Sequence, residues 1–281
     1  MAGAFLKIPG TNPYRLLSHP DKFKACWEAL VEESKSPNRD DGVLAYYKQC
    51  LDFERLWCVK QDLYFDIIHH LQVRGLDGEQ VLFKPSPPQD RFIKRVTEQL
   101  QSGQQVRIIY LKPRRVWGSE AACKIIYPFV ARHTGRTAFV FAHEDDAVTE
   151  IFSKYEFTHR TDHPLLKPEP RASNRYELIF GDIDSQIIAK NANSQRSGRA
   201  HGFRPQAAHF SEAGHYNPDT SHELFSGILI AIPAPPVPAV VIIESRGGKP
   251  AGWLYEKVRQ EIAAPGSTGF ELVFDPWPQR P

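Results

Sequence analysis

The sequence predicts an α/β protein with a mainly parallel sheet and helices on both of its faces. From about residue 106 onwards, short apolar runs alternate with segments of helical periodicity. The runs 106–111 (VRIIYL), 137–142 (TAFVFA) and 239–243 (AVVII) are mostly apolar, with at least four apolar residues in succession. Because neighbouring side chains of a strand point to opposite faces, such strands are buried on both sides, which is typical of a parallel sheet covered by helices.

The remaining elements follow from the same patterns, taken in order along the chain. We predict strands at 106–111, 137–142, 176–180, 186–189, 207–210, 239–243 and 271–274, and helices at 119–132, 145–155, 222–230 and 253–262. The short connection at Gly181-Asp182 predicts a hairpin between the third and fourth of these strands.

The N-terminal part of the chain has a different pattern. Residues 1–80 are predicted to be mostly helical, since apolar residues recur with a period near 3.6 from about residue 42 to residue 71. The proline-rich stretch 84–89 (KPSPPQ) then interrupts the chain. We therefore predict a helical N-terminal region at 1–80 and a second domain at 81–281.

Composition and charge exclude several classes of protein. Hydrophobic residues make up 41% of the 281 residues, which is enough for a buried core, and a net charge of +2 does not by itself indicate nucleic-acid binding. The four cysteines form no CxxC pair, so we expect free thiols rather than a zinc site. No apolar run approaches the ~20 residues of a membrane span, and no signal peptide is evident, so we expect a cytoplasmic protein without membrane contact.

The loop after the first strand of the sheet has the chemistry of a phosphate site. The segment 112–120 (KPRRVWGSE) places the cations Lys112, Arg114 and Arg115 just before a predicted helix. A helix N-terminus presents free N–H groups and a positive dipole end to an anion, and the Ser119 hydroxyl is placed to reach a magnesium ion. The usual pattern G-x-x-x-x-G-K-[ST] is not present, so a basic loop that caps the helix is the alternative interpretation.

Two later strands also end in polar residues. One ends in Ser211-Glu212, where a carboxylate can orient or deprotonate an attacking water. The other ends in Glu244-Ser245, where a small hydroxyl can hydrogen-bond toward a γ-phosphate. Taken singly, each is as well explained by a helix cap or a glycine turn. Because the carboxyl ends of parallel strands share one edge of the sheet, we predict that the 112–119 loop, Glu212 and Ser245 converge on one cleft.

In this order and spacing, the motifs resemble the ATPase domain of phage terminase large subunits over about residues 89–277. The segment 112–120 is similar to that family's phosphate loop, with a lysine at its first position. The segment 197–213 is similar to the family's Walker B region, and 241–248 (VIIESRGG) is similar to its E-S-T-A-x-G coupling segment. The resemblance implies a P-loop NTPase-like fold of the ASCE type, which has an additional strand and a catalytic glutamate.

The resemblance also implies a role for each matched residue. The implied catalytic residues are Glu212, Lys112, Arg115 and Ser245, with Glu212 positioning water and Ser245 acting as a sensor. The implied nucleotide-binding residues are Gln89, Lys112, Arg114, Arg115, Val116, Trp117, Gly118, Ser119 and Glu120. Ser119, and indirectly Ser211 in place of the usual aspartate, would contact Mg²⁺, and Arg199 would be a sensor or an arginine finger. The pattern departs from the family at Trp117, where glycine is usual unless Gly118 has taken that role, and at Glu120, where threonine is common.

The implied function is hydrolysis of ATP, with Mg²⁺, to drive translocation of viral double-stranded DNA into a procapsid in the host cytoplasm. The implied partners are that DNA, a portal protein and a small terminase subunit, with further copies of the chain in a ring. The last motif closes near Trp277, so we expect no nuclease activity. Two alternatives stay open: a helicase-like or other ASCE motor, and a nucleotide-binding module with weak or no hydrolysis.

Overall fold

The structure is a computed structural model that describes residues 62–275, except 76, 115, 165 and 195–203, together with a few positions between residues 32 and 45. The chain divides into two compact units, Met1–Asp66 and Ile67–Pro281. The described positions of the first unit are largely helical. The second unit contains the sheet.

The described elements alternate as the sequence predicts. The helices are α1 (Leu63–His70), α2 (Pro87–Gln101), α3 (Gly118–Ala131), α4 (Asp145–Thr161), α5 (Pro218–Ala231) and α6 (Trp253–Ala263), with a short 3-10 turn at Ala213–His215. The strands are β1 (Gln72–Arg74), β2 (Gln80–Leu82), β3 (Val106–Leu111), β4 (Thr137–Ala142), β5 (Pro170–Ser173), β6 (Glu177–Phe180), β7 (Ser185–Asn191), β8 (Ala207–Ser211), β9 (Val240–Ser245) and β10 (Glu271–Phe274).

Eight strands form one sheet in the order β10-β3-β9-β8-β4-β7-β6-β5. The six strands from β10 to β7 in this order are parallel to one another. At the edge of the sheet, β6 pairs antiparallel with β7, and β5 pairs antiparallel with β6. The predicted hairpin at Gly181-Asp182 is the antiparallel connection of β6 to β7. β3 and β4 are consecutive in the chain but are separated in the sheet by β9 and β8. The ends of β3, β9 and β8 therefore lie side by side.

Helices cover both faces of this sheet, which confirms the predicted fold class. Phe210 of β8 packs in a buried cluster with Phe225 of α5 and Trp253 of α6. His209, its neighbour on the same strand, points to the other face, where its Nδ1 lies 2.9 Å from the hydroxyl of Tyr155 on α4. Every residue of β8 and β9 is buried, as expected for central strands with helices on each side.

The stretch 72–82 corrects the prediction of a helical region as far as residue 80. It forms a two-stranded antiparallel hairpin, in which Val73 pairs with Val81. Gly78, with φ of 86°, lies in the turn, and the Gly75 N–H donates to the carbonyl of Glu79 at 2.8 Å. The turn chemistry of the two glycines overrides the helical period here, and the predicted helix ends with α1. The unit that carries the sheet begins before the boundary predicted at residue 80.

Candidate nucleotide site

Three strand ends converge at the carboxyl edge of the sheet, as the sequence predicts. In the parallel register, Leu111 of β3 pairs with Ser245 of β9, and Ser211 of β8 pairs with Glu244 of β9. The ladder continues one residue beyond β3, since the Lys112 N–H donates to the Ser245 carbonyl at 3.0 Å. The side chains that follow these strands therefore start from the same level of the sheet.

The phosphate loop reaches α3 through an unusual backbone conformation. Trp117 is the N-cap residue of α3 and has φ of 55°, in the left-handed region that favours glycine. Its indole is exposed, but its carbonyl accepts a hydrogen bond of 3.0 Å from Nε2 of Gln89. Gln89 in turn accepts from the Ser86 N–H at 2.8 Å. The amide of Gln89, one of the implied nucleotide-binding residues, here connects the start of α2 to the loop.

Gly118 provides the close approach that the loop requires. A Cβ at this position would lie 2.4 Å from Cδ of Lys112 and 3.0 Å from Cε1 of Tyr110. The lysine stem therefore passes directly over the glycine on its way to the centre of the site. Glycine offers both a left-handed backbone and the absence of a side chain. Here Trp117 adopts the left-handed backbone, and Gly118 lacks the side chain.

Lys112 lies between two carboxylates. Its Nζ is 2.9 Å from Oε2 of Glu244 and 3.2 Å from Oε1 of Glu212, and the side chain is buried. Burial opposes the charged form of the lysine, but the Glu244 and Glu212 carboxylates outweigh it and raise the pKa of Lys112. The side chain of Lys112 therefore stays charged in the middle of the cleft, where its ammonium can bind an anionic ligand.

Glu244 belongs to this site, although no role was predicted for it from the sequence. It is fully buried, and its Oε1 accepts hydrogen bonds from the hydroxyls of Ser119 at 2.6 Å and Ser211 at 2.7 Å. Burial favours the protonated acid, but His209, Lys112 and the Ser119 hydroxyl together hold the pKa of Glu244 well below its usual range. Because Nε2 of His209 is 3.6 Å from Oε1, beyond hydrogen-bond distance, we assign most of this shift to the lysine and the hydroxyls.

Glu212 faces the open side of the same lysine. It has φ of 50°, and among the described residues only Trp117 and Asp184 are other non-glycine residues with positive φ. Two of these three conformations therefore belong to the candidate site, and such backbone conformations cluster at functional sites. Nε of Arg246 lies 3.1 Å from Oε1 of Glu212. Arg246 was not among the predicted site residues, although it directly follows the predicted sensor residue.

Ser245 connects the loops that follow β8 and β9. Its hydroxyl donates to the Gly247 carbonyl at 2.9 Å and accepts from the Gly214 N–H at 3.0 Å. The two loops touch backbone to backbone, because a Cβ on Gly214 would lie 2.2 Å from the Gly247 oxygen, and one on Gly248 would lie 2.1 Å from the Gly214 oxygen. The loop that follows Glu212 is therefore in direct contact with the loop after β9.

Two cavities flank the start of α3. One, of about 410 Å³, is lined by Gln89, Trp117 and Glu120 together with residues of the β1–β2 hairpin and α4. The other, of about 270 Å³, is lined by Ser119, Ser211, Glu212 and Arg246 among others. Lys154 of α4 borders both cavities, which places them next to each other.

The other predicted site residues have varied surroundings. Arg114 is exposed, Val116 is partly buried, and Glu120 forms an ion pair of 2.9 Å with Lys124 one helical turn later. Arg115 and Arg199 lie outside the described residues. Across the residues that the structure does describe, there is no group of three His, Cys, Asp or Glu side chains placed to bind a metal, and no helix long and apolar enough to cross a membrane.

This architecture has counterparts among solved structures. The large terminase of bacteriophage HK97 matches with a TM-score of 0.62 and 14% identity, covering 79% of this chain and 44% of the HK97 chain. The large terminase of a thermophilic bacteriophage matches with a TM-score of 0.52 and 7% identity, covering 68% of this chain and 46% of its own. The chain has the fold of the bacteriophage large terminases. It spans less than half the length of either of these two proteins.

A third structure, the ATPase domain of the large terminase of Thermus phage P74-26, has a TM-score of 0.46 and 17% identity, covering 69% of this chain and 82% of that one. By sequence, no family model and no curated protein matches the chain. The terminase fold therefore rests on the three-dimensional matches to the HK97 and thermophilic-phage proteins.

Proposed function

We propose that the chain binds and hydrolyses ATP as the motor domain of a phage DNA-packaging terminase. One observation carries the proposal: Lys112, Ser119, Glu212 and Glu244 meet within hydrogen-bond or ion-pair distance at the carboxyl ends of three adjacent parallel strands. A cation and a helix N-terminus suit phosphates, and a partly exposed carboxylate suits the activation of water. The terminase fold supports the same assignment.

The two cavities at the start of α3 suit the two ends of a nucleotide. The larger, at about 410 Å³, lies within the size range of small-molecule pockets and takes the base and ribose beside Gln89. The phosphates then pass the N-terminus of α3, where Lys112 exchanges its carboxylate partners for phosphate oxygens. This exchange frees Glu212 from its ion pair with the lysine and leaves it facing the smaller cavity.

In the proposed reaction, the oxygen of a water molecule bonds to the γ-phosphorus while the bond from that phosphorus to the bridging oxygen breaks. Glu212 accepts the proton of the water, and ADP and phosphate leave. Lys112 stabilises the charge on the phosphate oxygens, and Mg²⁺, which Ser119 and indirectly Ser211 would hold, would neutralise further phosphate charge. Ser245, through its bonds to the Gly214 and Gly247 loops, then passes the change at Glu212 to the loop after β9.

The packaging role extends the proposal to partners. The terminases of HK97 and of the thermophilic phage share this fold, and we propose that this chain likewise acts on viral double-stranded DNA together with a portal protein and a small subunit, assembled as a ring. Arg115 and Arg199 remain proposed contributors to phosphate binding and to sensing. ATP turnover that increases with added double-stranded DNA would support the motor role over a static nucleotide-binding module.

ATP turnover of the purified chain, Lys112→Ala and Glu212→Gln tests the site directly. We expect each variant to lose at least a factor of about 100 in kcat, because an electrostatic stabiliser or a general base contributes on the order of 10²–10⁴. The Glu212→Gln variant should still bind nucleotide, since the lysine and the helix N-terminus are intact.

Three equal turnover numbers would contradict the assignment of these two residues. A wild-type chain that binds nucleotide without turning it over, with or without DNA, would instead support the alternative of a nucleotide-binding module. Arg171→Ala is a suitable control, because this exposed arginine of β5 lies at the far edge of the sheet from β3 and forms no part of the lysine–carboxylate cluster.

A further inference from the structure

The most unusual feature of the cleft is a fully buried carboxylate between two serine hydroxyls. Ser119 begins α3, Ser211 ends β8, and both hydroxyls donate to the same oxygen of Glu244, at 2.6 and 2.7 Å. In P-loop enzymes, the serine or threonine at this helix start and an aspartate at the end of the neighbouring strand hold the magnesium ion. Here the strand ends in serine, and no carboxylate occupies position 211.

The hydrogen bond from Ser119 has a direct consequence for a cation. A hydroxyl has one proton and two lone pairs, so a serine that donates to Glu244 turns its lone pairs away from the carboxylate. Those lone pairs are then free to bind a hard cation, which prefers oxygen ligands. The arrangement of Ser119 and Glu244 therefore supplies both a hydroxyl ligand and the negative charge beside it.

The second carboxylate oxygen of Glu244, Oε2, has the Lys112 ammonium as its ion-pair partner. In the part of the chain that the structure describes, Oε2 is a buried atom without a hydrogen-bond partner, although Nζ of Lys112 lies 2.9 Å away. Phosphates that attract Lys112 would remove this one neighbouring charge. A carboxylate that is fully buried and loses its cation requires another one, because an unpaired buried charge is costly.

A buried histidine of β8 lies next to this carboxylate. His209 lies beneath it on β8, with Nε2 3.6 Å from Oε1 of Glu244, and its Nδ1 is 2.9 Å from the Tyr155 hydroxyl. When Tyr155 donates to Nδ1, the imidazole proton is on Nε2 and faces the carboxylate. At 3.6 Å this N–H makes no hydrogen bond to Glu244, but its positive end faces the carboxylate and favours the negative charge there.

We propose that Glu244, reaching across from the neighbouring strand, supplies the carboxylate of the Mg²⁺ site that Ser211 lacks, with Ser119 as the hydroxyl ligand. The inference rests on the proposed nucleotide site, because phosphates and waters complete the coordination. It also separates the two acids of the cleft. Glu212 is partly exposed and paired with Arg246, and its proposed role is to accept a proton from water. Glu244 is buried beside the two hydroxyls, and its proposed role is to bind the cation.

The effect of Mg²⁺ on nucleotide affinity tests this assignment without relying on turnover. The Kd of a fluorescent, non-hydrolysable ATP analogue is measured with excess Mg²⁺ and again with EDTA, and the ratio of the two values is compared between variants. In Glu244→Gln we expect the Mg²⁺ enhancement to fall by a factor of about 10–100, the usual effect of losing such a partner, while binding in EDTA persists. The double variant Ser211→Asp with Glu244→Gln should recover much of the enhancement.

Glu212→Gln is the matched control, since it removes the other acid next to Lys112 and should leave the Mg²⁺ enhancement unchanged. Should Glu244→Gln fail to fold, Glu244→Asp retains the charge but withdraws it by one methylene, and we expect a reduced enhancement there as well. An unchanged ratio in the Glu244 variants, or an equal loss of affinity with Mg²⁺ and with EDTA, overturns the inference while leaving the nucleotide site intact. A wild-type chain that binds no analogue would overturn the proposed function itself.

Discussion

At the scale of single residues, the cleft is organised by where charges are buried. Lys112 and Glu244 are both buried and would be unstable apart, so each stabilises the other in the absence of nucleotide. When a ligand draws Lys112 away, Glu244 needs another cation as its partner. Nucleotide and divalent cation are therefore expected to bind with positive coupling, and the origin of this coupling is one ion pair.

Gly118 gives the sharpest test of the loop geometry. In Gly118→Ala, the new methyl group would overlap the Lys112 stem, whose Cδ lies 2.4 Å from the ideal Cβ position. Alanine is favoured over glycine within a helix by about 1 kcal/mol, which offsets part of the steric cost. We expect nucleotide affinity to fall at least about tenfold, because the ammonium is displaced, while the thermal midpoint changes little.

A calorimetric titration of nucleotide, together with thermal unfolding of the same sample, measures both quantities for Gly118→Ala. Unchanged affinity at unchanged stability would show that the lysine stem adapts, and that the close approach at this glycine has no functional weight. The flexible stem is the part of the site most able to move, so the Tyr110 ring at 3.0 Å sets the limit of that adaptation.

At the scale of elements, the loops after β8 and β9 are joined by direct contacts. Their backbones are in contact at Gly214 and Gly248, and the Ser245 hydroxyl joins them. A change in the position of Glu212 therefore cannot remain local. The same loops lead into the 3-10 turn on one side and toward α6 on the other, which gives a mechanical route out of the cleft.

Ser245→Ala tests this connection. We expect kcat to fall at least about tenfold with little change in nucleotide Kd, because the serine hydroxyl bonds to the Gly214 and Gly247 backbones and holds the loop that follows Glu212. Ser185→Ala is the matched control: it too is a fully buried serine bonded to backbone groups, with its hydroxyl 2.7 Å from the His133 carbonyl, 3.3 Å from the Ile183 carbonyl and 2.9 Å from the Arg136 N–H that donates to it.

Both serine substitutions remove hydrogen bonds from buried backbone groups and should destabilise the fold by a similar amount, on the order of 1–3 kcal/mol. Ser185 begins β7, away from the carboxyl edge, so its variant should keep its turnover. If Ser185→Ala lowers turnover as much as Ser245→Ala, the effect is one of general stability and the sensor role is wrong.

At the scale of the whole molecule, stability should depend on pH through His159. This residue of α4 is buried, with Nδ1 3.1 Å from the Tyr127 hydroxyl, and burial lowers its pKa to about 4. An unfolded histidine takes up a proton near pH 6.5, while the folded one stays neutral. The unfolded state thus binds more protons as the pH falls, and the stability contributed by neutral His159 is present above pH 6.5 and lost toward pH 4.

Between pH 7 and pH 5 this loss amounts to about 2 kcal/mol in the free energy of unfolding. Denaturant unfolding of the wild type and His159→Gln across this range measures it, and the difference between the two curves isolates this residue from other titrating groups. Parallel curves would mean that the buried imidazole is not a source of acid sensitivity.

The local patterns of the sequence predicted much of this fold. β3, β4 and β10 begin and end at the predicted residues, because each is a mostly apolar run that is followed directly by a polar residue. The β1–β2 hairpin escaped prediction, since its strands are only three residues long and half exposed, and a helical period precedes them.

The sequence by itself determined which residues stand at the strand ends, because hydrophobic period and turn chemistry act over a few neighbouring positions. Only the tertiary structure decided which of those residues meet. Glu244 lies near the end of β9 and Arg246 directly follows that strand, which inserts between β3 and β8. This strand order brings Glu244 to Lys112 and Ser119, which are more than a hundred positions away in the chain, and Arg246 to Glu212. Such contacts depend on long-range strand pairing, and no local pattern encodes that pairing.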